Sequence, residues 1–333
     1  MSDKYTVNYL EEAAYGEWDQ YVASHPLGTP FQLSTFLKQV SENTGRTFRV
    51  IALKKGDEIV GGFAFGEVSK LGFKMIPLPY DCPVFQPLFN ERDTKFSTKK
   101  ESHRQEITKC LNNFLQSHYH AISFRFDWRC NDLRSFSEDK FSIDLKYTYI
   151  QNLNEFDASH HPIDPATKRQ IKKAHKEGFT VNKDMSDDNI AAFYALIRKT
   201  YKRQGLPLIF SQKDYQHLLT RLVEQHKARL YVMYIKDEPV AAMAISTMNK
   251  QAHYWLSASD TSYSRYGGTS ALILEVLNDL KMRGIESFDF VGANTASISR
   301  FKAGYSFNLQ AYYEASKTRF PLSLLLKIKS YIQ

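Results

Sequence analysis

Three stretches of this chain carry residue types and spacings able to do chemistry. The first is Arg265-Tyr266-Gly267-Gly268-Thr269-Ser270, set between a strand expected over 252–258 and a helix expected over 269–282. Gly268 allows the backbone to approach a ligand closely, and amides at a helix start face an anion that the helix dipole favours. The loop approximates the Arg/Gln-x-x-Gly-x-Gly/Ala pattern that cradles the pyrophosphate of coenzyme A, with Ser270 in the last small position. Arg265, Gly267, Gly268 and Thr269 are therefore candidate phosphate-binding residues. The plainer alternative is a glycine loop that only starts a helix.

The second stretch, residues 164–178, reads as a helix. Asp164 can cap it, Pro165 suits its first turn and Gly178 ends it. Lys168, Arg169, Lys172, Lys173 and Lys176 crowd its faces and leave only Ile171 and Ala174 to bury. Such a run is either a solvated face or a polyanion site, the latter taking Arg169, Lys172, Lys173 and Lys176 as contacts. The third stretch, Ser299-Arg300-Phe301-Lys302-Ala303-Gly304-Tyr305, follows a strand that ends at Val291-Gly292. Lys302 either complements a helix carboxyl end or sets a fixed cation beside a reacting carbonyl or phosphate, with Arg300 and Phe301 beside it. No Ser/His/Asp or Cys/His set is evident, and His253, alternating within a strand, reads as half-buried before it reads as a general base.

Positioning these segments requires an α+β scaffold. In the first half, helices are expected at 14–22 and 34–40, a hairpin at 48–53 and 58–68, a helix at 100–117 and a strand at 121–126. In the second half, helices are expected from 186 to 204 and after Ser211, a hairpin at 229–235 and 240–247, and the strand at 252–258. The helix at 269–282 and a strand at 287–291 follow. The segments 48–68 and 229–248 share one pattern of strand, charged turn, Val, small residues and strand, and their flanking elements come in the same order. This predicts two copies of one fold, divided as 1–150 and 151–333.

Composition narrows the partners. The chain has 333 residues, 43% hydrophobic and 24% charged, which suits two packed domains and excludes a disordered chain. No apolar run reaches the length of a membrane span, and no secretory signal is visible. The odd set Cys82, Cys110 and Cys130 points to reduced thiols in the cytoplasm and to no metal site. A net charge of +8 favours anionic partners.

Together, Arg169-x-Ile-Lys-Lys-Ala-x-Lys-x-Gly178, Phe288-Asp-Phe-x-Gly292 and Arg300-Phe-Lys-x-Gly-Tyr305 resemble the FemAB family of peptidoglycan-bridge aminoacyltransferases. The likeness covers Thr167 to Tyr313; the first half matches in element order and at Pro30-Phe31-Gln32. It implies two tandem GNAT-like (acyl-CoA N-acyltransferase) domains, each a central mixed sheet flanked by helices. It implies transfer of an aminoacyl group from charged tRNA onto an amine of a cell-wall or polysaccharide precursor, with Phe301 and Lys302 near the acceptor end of the tRNA.

No permanently bound cofactor is expected. The donor is open between aminoacyl-tRNA and acyl-CoA, and the acceptor between an amine-bearing saccharide, a lipid-linked precursor and, for an acyl-CoA enzyme, an amino sugar or other small amine. Backbone amides around Trp255 to Ser257 are candidates to polarise the donor carbonyl, with Lys302 offsetting its charge. A non-catalytic module binding an anionic polymer is a further alternative. The expected place is the cytoplasm; the apolar and basic segment 316–331 suits either contact with an anionic membrane face or docking on the core.

Overall fold

The computed structural model describes residues 4–323. They form two compact units, one built from residues up to Lys146 together with those from Ala311 onward, the other from Tyr147–Gln310. The second half of the membrane-facing candidate segment, from residue 324, lies outside the described residues.

The first unit runs β1 (Thr6–Tyr9), α1 (Tyr15–Ser24), α2 (Ser34–Asn43), β2 (Thr47–Lys55), β3 (Glu58–Lys70), β4 (Phe73–Ile76), β5 (Leu88–Phe89), α3 (Ser97–His118), β6 (Ala121–Arg125) and α4 (Arg134–Glu138). Strands β1 to β4 pair antiparallel in sequence order, and β6, reached through α3, pairs parallel to β4. Pro30-Phe31-Gln32 forms a buried 3-10 turn in which the Gln32 side-chain oxygen accepts from the Thr29 amide at 2.8 Å.

The chain continues with β7 (Ser142–Asn152), α5 (Pro165–Glu177), β8 (Thr180–Asn182), α6 (Asp187–Gln204), α7 (Gln212–Glu224), β9 (Ala228–Ile235), β10 (Glu238–Met248) and β11 (Gln251–Ser259). After these come α8 (Gly268–Met282), β12 (Ser287–Asp289), α9 (Ala296–Ala303) and β13 (Asn308–Thr318). Strands β8 to β11 again pair antiparallel in order, and β12, reached through α8, pairs parallel to β11. The topology of the first unit is thus repeated, as the matching hairpins predict.

Among the strands that the sequence reading did not anticipate, β7 and β13 are the longest. Strand β13 pairs antiparallel with β6 through Glu314–Thr318, which is why the chain from Ala311 joins the first unit and not the second. Strand β7 pairs antiparallel with β12. Neither alternates cleanly between apolar and polar, because both leave most residues half-buried or exposed.

Local signals fix the helices that frame the second unit. The Ser186 hydroxyl accepts from the Asn189 amide at the start of α6, and Gly205, at φ 66°, ends it. Ser211 and Asp214 form a capping box on α7. The Asp164 carboxylate accepts from the amides of Ala166 and Thr167, and α5 buries only Ile171 and Ala174. Helix α8 is buried along most of its length against β9 and β10. Near its end the Asp279 carboxylate accepts from Tyr231 Oη at 2.8 Å, Lys183 Nζ at 2.9 Å and Arg283 Nε at 2.8 Å. Burial alone would raise the pKa of Asp279, but these donors outweigh it and hold the pKa at about 2.

Among the described residues no helix is long and apolar enough to cross a membrane. Cys82, Cys110 and Cys130 are free thiols.

Candidate active site

A cleft of about 220 Å³ opens at the start of α8. Its walls come from three places that are distant in sequence: Gly267, Gly268, Thr269 and Ser270 at the helix start, Gln170 on α5, and Phe301 on α9. Val240, Ser259, Asp260, Tyr263 and Ser264 complete the lining.

Close packing on α5 brings these segments together. Gly267 sits at φ 72°, and a Cβ there would lie 2.1 Å from the Gln170 carbonyl oxygen, so only glycine fits on both counts. It was Gly268 that the sequence marked for close approach; the tightest contact belongs to its neighbour. Gly304 makes the second approach: its Cβ position is 2.4 Å from Thr167 Oγ1, and its carbonyl accepts from the Asp164 amide at 2.9 Å. The glycines of two motifs therefore rest on the helix of the third.

The amides of Ser270 and Ala271 both donate to the Gly267 carbonyl. Those of Gly268 and Thr269 precede the first intrahelical bond, as helix geometry requires, and stand at the positive end of the α8 dipole. On the opposite wall Asp260 is already engaged. Lys199 Nζ donates to it at 2.5 Å and the Ser262 amide at 3.0 Å, and these contacts hold its pKa at about 2. It is a fixed anion and not a base. The Gln170 side-chain oxygen is buried without a hydrogen-bond partner.

Strand β11 outruns its parallel partner. The pairing with β12 covers only Gln251–His253 against Ser287–Asp289, while β11 continues to Ser259 on the cleft wall. Trp255 is the extra residue of a bulge, since Ala244 pairs with Leu256 and Ile245 with Tyr254. Trp255 to Ser257, the candidate carbonyl-polarising stretch, thus lie on the part of β11 beyond the parallel pairing.

The expected residues separate into distinct groups. Gly267, Gly268, Thr269 and Phe301 line the cleft, and Phe301 remains 38% exposed. Arg265 does not: its guanidinium lies over the ring of its neighbour Tyr266 at 4.7 Å and donates to the Tyr266 hydroxyl at 2.6 Å. Lys302 does not stand free beside the cleft either. It is 5% exposed, and its ammonium donates to the carbonyls of Phe290, Val291 and Gly292, the last at 2.7 Å.

Burial pushes the Lys302 pKa down to about 8, with Asp289 opposing. The carbonyls it holds belong to the turn where β12 ends, in which Val291 and Gly292 both have positive φ. Arg300 is exposed on α9. Arg169, Lys172, Lys173 and Lys176, with Lys168, are exposed on α5 and have no ion-pair partner among the described residues. His253 is buried, 3.5 Å from the Ser246 hydroxyl, and is not part of the cleft. Sequence reasoning missed Gln170, Asp260 and Tyr263, which carry no motif; only their neighbours' glycines hinted at a close approach there.

Comparison with known proteins agrees with this geometry. The family model of the acetyltransferase (GNAT) domain matches residues 166–303, the segment that holds the whole cleft. The solved structure of FemX superposes with a TM-score of 0.67 at 13% identity, covering 92% of this chain and 96% of that one. The C-terminal domain of a putative lysylphosphatidylglycerol synthetase from Agrobacterium fabrum gives 0.62 at 10% identity, covering 95% and 96%. L-PGS from Bacillus licheniformis gives 0.58 at 16% identity, covering 88% and 91%. No curated protein sequence matches the chain. The cleft thus lies within a segment that matches a GNAT acetyltransferase domain, and over most of its length the chain shares the fold of FemX.

Proposed function

We propose that the chain transfers an aminoacyl group from a charged tRNA onto an amine of a cell-wall or polysaccharide precursor, with the reacting end of the donor in the α8 cleft. The observation that carries this is the convergence at one cleft of Phe301, the α8 amides and α5, a helix with five uncovered cations. A nucleic-acid carrier needs a row of positive charges leading to the reactive site, and its attraction to them is independent of sequence. The Gln170 oxygen, buried without a partner, offers an acceptor for an N–H of the aminoacyl group.

In the transfer, the amine nitrogen bonds to the donor carbonyl carbon, the ester C–O bond breaks and the released hydroxyl takes up a proton as the amine gives one up. Positioning and charge stabilisation suffice for such a step. Phe301 contacts the donor, backbone amides on the outrunning part of β11 stabilise the oxyanion, and Lys302 is a positioning residue that keeps the β12 turn in shape. The putative lysylphosphatidylglycerol synthetase domain among the structural neighbours, named for a lysyl lipid, fits an aminoacyl donor. We place the reaction in the cytoplasm.

A second reading keeps the acyl step and changes the carrier. The free amides of Gly268 and Thr269 suit a pyrophosphate, as an acyl-CoA donor to an amino sugar or other small amine would require. Calorimetric titration with coenzyme A and with charged tRNA, each at two salt concentrations, separates the two. Binding of tRNA that falls steeply with salt and depends on Lys172 and Lys173 supports the proposal. Salt-tolerant coenzyme A binding that is lost on altering the Gly267-Gly268 loop replaces it with the second reading, and no binding of either refutes both.

A further inference from the structure

The first unit holds a pocket of its own, bounded by β5, α3 and the segment leading into α4. Its volume, about 160 Å³, is close to that of a cavity of about 150 Å³ that encloses a benzene molecule, so it holds one six-membered ring. Leu27, Leu88, Phe89, Ile107, Phe126 and Phe136 make an apolar floor.

Around this floor stand the side chains of Asn90, Thr108, Cys130, Asn131 and Ser135, and none has a hydrogen-bond partner among the described residues. Thr108 is the most buried of the five, at 2% exposed, while the other four are half-buried or exposed. Every charged group in the lining is instead already engaged. Arg104 pairs with Glu91 and, at 2.7 Å, with Asp132; Arg129 pairs with Asp127 at 2.7 Å. Hydroxyl, amide and thiol groups are thus left open while no net charge is.

We propose that this pocket binds one neutral monosaccharide ring, its apolar face on the phenylalanine floor and its hydroxyl or acetamido groups on Thr108, Ser135 and the two asparagines. An anionic ligand would need an uncommitted cation, and a purely apolar one would displace water from these polar groups without replacing its hydrogen bonds. The site lies within the first unit and does not depend on what the α8 cleft binds.

The test uses the full chain and titrates N-acetylglucosamine, glucose and, as charged controls, glucuronate and glucosamine, read by calorimetry and by saturation transfer from protein to sugar. The neutral sugars are expected to bind. Thr108→Val, which keeps shape and removes the hydroxyl, weakens them about tenfold, the worth of one hydrogen bond. Ser135→Trp fills the pocket and abolishes binding, with the circular dichroism of both variants unchanged. Bound sugar also slows alkylation of Cys130, followed peptide by peptide, which needs no substitution. Absence of neutral-sugar binding, tighter binding of a charged sugar, or binding indifferent to both substitutions with Cys130 unprotected would each overturn the proposal.

Discussion

Gly267→Ala is the substitution that most directly tests how the cleft is built. Two costs add at this position. The residue sits at φ 72°, where a Cβ costs about 1–2 kcal/mol. The new methyl would also lie 2.1 Å from the Gln170 carbonyl oxygen and 2.6 Å from its carbonyl carbon. These atoms belong to the backbone of α5 and cannot swing aside like a side chain, so the helix itself must shift, at a further cost of about 1–3 kcal/mol for overpacking. The sum, about 2–5 kcal/mol, is to be measured by urea unfolding under far-ultraviolet circular dichroism, extrapolated to water.

Two companions isolate the terms. Gly284→Ala, at φ 75° with nothing within 4 Å, carries the conformational cost alone. Gly268→Ala, whose Cβ meets only side-chain atoms of Val240 at 3.0 Å and Met233 at 3.3 Å, carries a mild steric cost alone and should lose less than about 1.5 kcal/mol. Donor binding should fall in Gly267→Ala even where the protein remains folded, because displacing α5 moves Gln170. If Gly267→Ala is no less stable than Gly284→Ala, then α5 yields freely and the claim that glycine packing builds the cleft is wrong.

Further expectations concern charge and the site's rim. Asp279 has a folded pKa of about 2 against an ordinary 3.8, so its contribution of about 2 kcal/mol is present above pH 4 and is lost as pH falls through 2. Asp279→Asn should therefore flatten acid unfolding between pH 4 and 2, and an unchanged acid limb would deny the depressed pKa. Lys302→Met leaves three turn carbonyls without their donor and should destabilise the chain by about 2–4 kcal/mol, whereas wild-type stability on thermal unfolding would contradict a positioning role. Changing Lys172 and Lys173 together to Ala should lower the salt dependence of tRNA binding by about 1.5 in log-log slope with stability unchanged, and an unaltered slope would remove α5 from the contact. Phe301→Ala should fold normally, since the ring is 38% exposed, yet lose transfer activity; retained activity would place the donor elsewhere.

What the sequence determined by itself was local. Caps and stops at Asp164, Ser186, Gly205 and Ser211 are read within one helical turn, because the groups that satisfy a helix end are its own neighbours. The hairpins and their repetition were legible for the same reason: alternation and a tight turn are short-range properties. The crowding of cations on α5 followed from helical spacing alone.

The tertiary structure decided the rest. Strands β7 and β13 carry no strong pattern of their own and exist because β12 and β6 offer them an edge. Lys302 reads in sequence like a free cation, yet three carbonyls more than nine residues away in the chain take its hydrogens. Arg265 reads like a phosphate ligand and lies on its neighbour's ring. Gln170 carries no motif, and only the approach of Gly267 to its backbone puts it on the cleft wall. Spacing along a chain fixes which residue types share a face. Which of them remains uncommitted depends on partners from other segments, and only the folded packing brings those within hydrogen-bond reach.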